Sequence, residues 1–151
     1  MSGPTLDIRE LNQEEIVEFL RSQQVGRIAY AFRGVVNIVP VHYVYDDGWL
    51  YGRTSEGPKL TTLAHSHWVA FEVDDVRSPV DWTSVVARGT FRPIASDGID
   101  EERSTANHAI HLLRQLYPDA LTPDDITPHR RILFRIHVDE ASGRTASLSQ
   151  G

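Results

Sequence analysis

The chain of 151 residues contains no cysteine, so it has no disulfide framework, no thiolate zinc site and no cysteine nucleophile. It also lacks an excess of basic charge: 15 Lys and Arg stand against 21 Asp and Glu, a formal charge of −6. That balance argues against a dedicated DNA or RNA binder, which needs cations to neutralise a phosphate backbone. No long hydrophobic run is present. The most apolar stretch, Val35 to Tyr45, is interrupted by Asn37, Pro40 and His42 and falls short of the about 20 apolar residues a membrane helix needs. Met1 to Glu10 is polar and acidic rather than a basic segment followed by an apolar one, so no secretory signal is visible and a cytoplasmic location is expected. Gly-x-Ser-x-Gly and Gly-x-Gly-x-x-Gly patterns are missing as well, which removes the usual serine-hydrolase elbow and the Rossmann dinucleotide turn. What remains, with 40% hydrophobic residues and no repeat, is enough apolar matter for one globular domain spanning 1–151.

The first element is signalled by Asn12 as helix cap with Glu15 three residues on, flanked by Leu11 and Ile16 as a hydrophobic staple. A helix over 13–24 follows, with Gly26 expected to supply a left-handed exit. From Arg27 the period becomes extended. Ile28, Tyr30 and Phe32 alternate up to Gly34, Val35 to Tyr45 forms a second run, and Asp46-Asp47-Gly48 turns into Trp49 to Ser55. The reading is a three-strand meander, with Pro40 marking an edge or a bulge. Pro58 opens a short helix, 58–65. A strand over 68–74, a loop over 75–81 and a long strand over 82–94 come next, and Gly89 marks a bend in the long strand. Ala106, Ala109, Ile110, Leu113 and Leu116 recur at helical spacing within a helix over 100–116 that Pro118 stops. A Pro- and Asp-rich loop, 118–128, precedes a last strand over 132–138. About six strands and three helices inserted between them favour an antiparallel β-barrel of the α+β class over a doubly wound sheet.

The most informative stretch is Leu50-Tyr51-Gly52-Arg53-Thr54-Ser55-Glu56-Gly57-Pro58-Lys59. A strand delivers Arg53, Thr54 and Ser55 to its end, Gly57 permits close backbone approach, and Pro58 opens a helix whose first N–H groups lack partners. A forked guanidinium, two hydroxyls and the Lys59 ammonium together suit a terminal phosphate. The alternative is a set of solvated charges beside a helix cap. The Walker pattern is not met, because Gly57 is followed by Pro58 and Lys59 by Leu60.

Five stretches in order carry a resemblance: Val25-Gly26-Arg27-Ile28-Ala29-Tyr30, Val39-Pro40-Val41-His42-Tyr43-Val44-Tyr45-Asp46-Asp47-Gly48, Arg53 to Lys59, Val69-Ala70-Phe71-Glu72-Val73-Asp74, and Trp82-Thr83-Ser84-Val85-Val86-Ala87-Arg88-Gly89. They resemble the pyridoxamine 5′-phosphate oxidase-like superfamily, nearest to its small flavin-binding branch that includes the nitroimidazole-resistance proteins. The resemblance covers about residues 10–95, and Arg131 to Arg144 is similar to the family's closing strand. It implies an antiparallel split β-barrel that dimerises with FMN at the interface. It further implies that Arg53, Thr54, Ser55 and Lys59 hold the FMN phosphate, and that Val39, Pro40, Val41, His42 and Tyr43 form the strand beside the isoalloxazine ring.

Within that frame His42 is a candidate proton donor to substrate or flavin, against the plainer reading of a residue packed beside the ring. Trp82 is a candidate to stack on the ring or substrate from the partner subunit, against a core or interface anchor. The His65/His67 and His108/His111 pairs lack the carboxylates of a metal site, so no metal is expected. Glu72 and Asp74 share a strand face and are expected to ion-pair rather than to act as a glycosidase dyad. The expected activity is transfer of hydride or electrons from a reduced nicotinamide to a small nitroaromatic or quinone-like acceptor. A deazaflavin reductase on the same fold is an alternative, with Arg27, Arg33 and Arg88 as extra cations. A non-catalytic flavin or haem carrier is another. The substrate-binding pattern of full-length pyridoxamine phosphate oxidases has no match at this C-terminus. Helix 100–116 and loop 118–128 are expected to cap one end of the barrel or to shape the substrate opening.

Overall fold

The computed structural model describes residues 3–65 and 67–149, apart from the side chains of Lys59, Ala64 and His65. The chain starts with a strand, β1 (Thr5–Glu10), and a helix, α1 (Gln13–Ser22). The expected capping box is formed: the Asn12 side chain accepts from the Glu15 amide at 2.9 Å, and the Asn12 amide donates to the Glu15 carboxylate at 3.1 Å. Arg9 grips the same carboxylate with both terminal nitrogens and holds its pKa down to about 2. The helix ends at Ser22 with Gln23 extended, and Gly26 is not its left-handed exit. Gly26 lies in the next strand, where a Cβ would run into the ring of Phe71.

Six strands and two helices follow: β2 (Val25–Phe32), β3 (Val35–His42), β4 (Val44–Asp46), β5 (Trp49–Thr54), α2 (Pro58–His65), β6 (Trp68–Ser78), β7 (Asp81–Ile94) and α3 (Asp100–Leu116). The chain closes with β8 (Ile132–Ser149). All pairings are antiparallel, in the order β3-β2-β6-β7-β8-β5-β4, with β1 added along β8. The two ends of this order, β3 and β4, do not join, so the sheet is an antiparallel split β-barrel.

The meander expected over 27–55 is therefore two hairpins on opposite edges. Tyr43 makes the crossing: its amide donates to the Gln24 carbonyl at 2.9 Å and its phenol to the Leu20 carbonyl at 2.7 Å. The ring meets Phe71 edge-on at 5.1 Å, and burial drives the phenol pKa upward. Pro40 lies on the edge strand β3, where a missing N–H costs no ladder bond.

The loop expected over 75–81 is a β6–β7 hairpin turning at Pro79-Val80, and β1 had no sequence signal. The last strand, expected over 132–138 from its alternation and to Arg144 from the resemblance, runs on to Ser149. Gly89 marks a bulge. Arg88 pairs with Glu140 and Gly89 with Val138, so Asp139 is the extra residue on β8, and a Cβ at Gly89 would fall on the His137 carbonyl.

The main core fills the barrel interior with Ile16, Leu20, Ile28, Phe71, Val85 and Phe91, the last stacked on Phe134 at 4.9 Å. A second cluster sits under α3, where Ala106, Ala109, Leu112 and Leu113 cover Tyr51 and Leu133. Among the described residues no helix is long and apolar enough to cross a membrane. Asn12→Ala is expected to destabilise by about 1 kcal/mol through loss of the cap. Gly89→Ala is expected to cost more, roughly 1–3 kcal/mol, because its Cβ meets backbone rather than a movable side chain. Thermal unfolding of the two variants checks the order.

Candidate functional site

A cavity of about 480 Å³ opens where five parts of the chain meet, one of them Gln24 in the link between α1 and β2. The end of β3 contributes Pro40, Val41 and His42, and the end of β5 contributes Arg53, Thr54 and Ser55. Leu113 and Leu116 come from α3, and Tyr117, Ala120, Ile126, Thr127, His129 and Arg130 come from the segment that follows it. The volume falls in the range of small-molecule sites.

β5 is held in place by β8, with Arg53 opposite Leu133 and Thr54 opposite Ile132. The chain then turns through Gly57, at φ +152°, a conformation that disfavours residues with a Cβ, and Pro58 starts α2. Thr54 ends β5 and Ser55 follows it, both lining the cavity, and α2 begins three residues after Ser55. Lys59 is in the first turn of α2, and its side chain lies outside the described residues.

Arg53 meets an unexpected partner. Its Nη1 donates to Asp125 Oδ2 at 2.5 Å and to the Arg130 carbonyl at 3.4 Å. Its Nη2 donates to Asp125 Oδ1 at 3.4 Å and to Thr127 Oγ1 at 3.0 Å. Asp125 also accepts from the amides of Leu121 and Thr127, both at 2.9 Å, and from the Thr127 hydroxyl at 3.1 Å. Its side chain is 1% exposed and that of Arg53 14%. The guanidinium hydrogen bond, with these amides and the hydroxyl, holds the Asp125 pKa well below the usual carboxylate range against the opposing effect of burial. Leu121 sits at φ +60°, a strained conformation for leucine. Asp125 and its partners were missed in the sequence because the ion pair joins residues 72 apart with no local pattern to mark it.

The other expected residues are distributed as follows. His42 is exposed at the cavity rim, while the side chain of Tyr43 is committed to the core. Val39 and Val41 are half-buried against the main core. Trp82 lies on β7 opposite Val76 and Ala146 and does not line the cavity of its own chain. By register it shares the outer sheet face with His42, three strands away. The extra cations do not gather around the cavity. Arg27 reaches Glu72 at 3.0 Å and Asp74 at 3.3 Å, Arg33 stacks on Phe32 in a turn, and Arg88 is exposed on β7. His108 bonds Asp46 at 2.8 Å. The His65 side chain lies outside the described residues, and among those described no three His, Asp or Glu side chains gather as a metal site.

An open antiparallel barrel with a pocket between its edge strand and an inserted helix defines the split-barrel class. The chain belongs to the pyridoxamine 5′-phosphate oxidase family, whose sequence profile matches residues 12–145. No curated protein sequence matches it. Among solved structures it is similar to a FAD-binding protein from Mesorhizobium loti, at 28% identity and TM-score 0.76 over 93% of this chain and 99% of that one. It shares its fold with the FAD-binding protein from Mycobacterium smegmatis, at 24% identity and TM-score 0.63 over 91% and 98% of the two chains. It also shares the fold of a candidate 5-nitroimidazole antibiotic resistance protein from Bacteroides thetaiotaomicron, at 18% identity and TM-score 0.65 over 98% and 95%.

Two carboxylates give opposite pH signatures. Burial first, then the neighbouring Asp74, push the Glu72 pKa up to about 7 against the pull of Arg27. A raised carboxyl pKa means the folded state holds the proton more tightly, so this contribution to stability is full below the ordinary value of 4.5 and is lost as pH rises toward 7. Asp125 behaves inversely, stabilising fully above its ordinary value of 3.8 and less as pH falls below it. Thermal midpoints across pH 3 to 8 are expected to show Glu72→Gln gaining on the parent at pH 8 but not at pH 4. Asp125→Asn is expected to lose more at pH 7 than at pH 3.

Proposed function

We propose that this chain is a homodimeric flavoprotein that binds FMN and moves hydride or electrons from a reduced nicotinamide to a small organic acceptor such as a nitroaromatic or quinone. The observation that carries this reading is the single cavity uniting the end of β3 with the β5–α2 junction. It offers an apolar strand edge beside Thr54 and Ser55, and the chain enters α2 at Pro58, three residues after Ser55. That donor set suits a planar ring ending in a phosphate. The names of the Mesorhizobium loti and Mycobacterium smegmatis relatives support a flavin.

When bound, the flavin supplies the hydride- and electron-transfer chemistry. The chain's own groups bind, orient and exclude water. Thr54 and Ser55 donate hydroxyl hydrogen bonds to the phosphate, the first amides of α2 add theirs, and Lys59 supplies a cation. Pro40 and Val41 form the apolar wall for the ring. Tyr43, fixed by Leu20 and Gln24, sets where that wall ends. His42, exposed at the rim, is placed to move a proton to or from a bound acceptor.

The dimer reading rests on the outer face of β2 and β3. Val36 is 77% and Ile38 65% exposed there, and the register places both on the face that carries Pro40 and His42. A second copy covering this face would shield the apolar side chains, close the cavity on its open side and bring its own Trp82 toward the ring.

FMN titration followed by flavin fluorescence tests the phosphate site. Ser55→Ala combined with Lys59→Ala is expected to weaken binding about 10- to 100-fold, and unchanged affinity would remove the phosphate from this junction. Val36→Glu with Ile38→Glu is expected to yield monomers in sedimentation and to lose FMN affinity together. Monomers that retain FMN would separate the cofactor from the interface.

A further inference from the structure

The terminal nitrogens of a guanidinium carry four hydrogens, and in Arg53 all four are directed at the segment after α3: two at Asp125, one at Thr127 and one at the Arg130 carbonyl. Among the described residues the Nε–H alone is left without a partner. An anion seeking the fork of Arg53 would have to displace Asp125, whose carboxylate is buried and accepts three further hydrogen bonds from Leu121 and Thr127. Removing the guanidinium from that carboxylate would leave a buried, uncompensated charge.

We propose that Arg53 and Asp125 form a strut that locks residues 117–131 as a wall of the cavity, and that both are positioning residues of the site rather than anion ligands. The strut ties β5 to a segment whose first part is already anchored to α3, where Arg114 donates to the carbonyls of Ala120 at 2.9 Å and Leu121 at 3.3 Å. Beyond Leu121, which packs on the cluster of Tyr51 and Leu133, the segment runs through turns such as Asp125 onto Thr122 and Arg130 onto Thr127. Arg53 supplies the fixed point for this later part, at Asp125, Thr127 and Arg130. The wall so held presents Ile126, His129 and Arg130 to the cavity. Because Arg53 and Asp125 neutralise each other, the cationic charge this wall offers to a phosphate comes from Arg130. The ligand half of this proposal rests on the flavin reading; the strut itself does not.

The test uses the full chain as the parent and as Arg53→Ala, Asp125→Asn and the double variant. Limited trypsin digestion reads cleavage after Arg130 or Arg131, with the exposed Arg77 in the β6–β7 hairpin as internal reference. Each single variant is expected to be cut at Arg130 or Arg131 about tenfold faster or more, since cleavage follows local opening, with Arg77 unchanged and the double variant no worse than either single. FMN is expected to slow that cleavage in the parent, which a segment remote from the ligand would not show. Affinities for FMN and for riboflavin, which lacks the phosphate, are both expected to fall, and each by the same factor in Arg53→Ala as in Asp125→Asn.

Loss of FMN affinity in Arg53→Ala alone, with riboflavin binding intact and Asp125→Asn equal to the parent or tighter, would make Arg53 a direct phosphate ligand and overturn the proposal. Unchanged cleavage in both single variants would overturn it as well. A parent that binds neither flavin would refute the flavin reading, while the cleavage rates would still decide the strut.

Discussion

The structure depends on one strand satisfying three neighbours. β8 gives its first residues, Ile132 to His137, to β5, most of its length to β7, and its last, Arg144 to Ser149, to β1. A strand with period two cannot slip by a residue without turning Leu133, Phe134 and Ile136 to the wrong faces. The register is pinned by the bulge that places Asp139 out of step opposite Gly89. That pinning sets the functional end of the barrel. It fixes Arg53 opposite Leu133, and it fixes the point at which the segment after α3 must rejoin the sheet.

From that point the geometry of the cavity follows. β3 and β4 are the two free edges of the barrel, and the chain crosses between them at Tyr43, so the edge residues Pro40 to His42 end beside the β5–α2 junction. The cavity is walled on a third side by α3 and its following segment, held down by the Arg53–Asp125 pair. Residues from five regions of sequence thereby share one space. The barrel core remains apolar beneath it, which lets the site vary without disturbing what folds the chain.

Much of the frame was legible in the sequence because its signals are local. Asn12 with Glu15 is a reciprocal cap within four residues, Pro40 announces an edge wherever it falls in a strand, and the spacing from Ala106 to Leu116 defines α3 by itself. What was not legible depends on partners far away. β1 is exposed along its whole length and pairs through its backbone, so no alternation marks it. Asp139 to Gly143 shows no apolar alternation and was reached only through the resemblance, yet it is strand because β7 lies beside it. Gly26 offered a local explanation as a helix exit that the packing of Phe71 displaced. In the site, the β3 and β5 ends were visible as composition, whereas the partner of Arg53 was not, since nothing near Asp125 indicates a guanidinium 72 residues away.

The visible absorption spectrum of the purified chain, with mass identification of whatever it releases on denaturation, tests the central claim most directly. The account predicts a two-banded yellow spectrum and release of FMN. Release of FAD would keep the flavin but place a nucleotide beyond the phosphate site, and a single violet band would point to a deazaflavin. A colourless chain that also fails to take up added FMN would contradict the flavin reading and leave only the family and its split barrel standing.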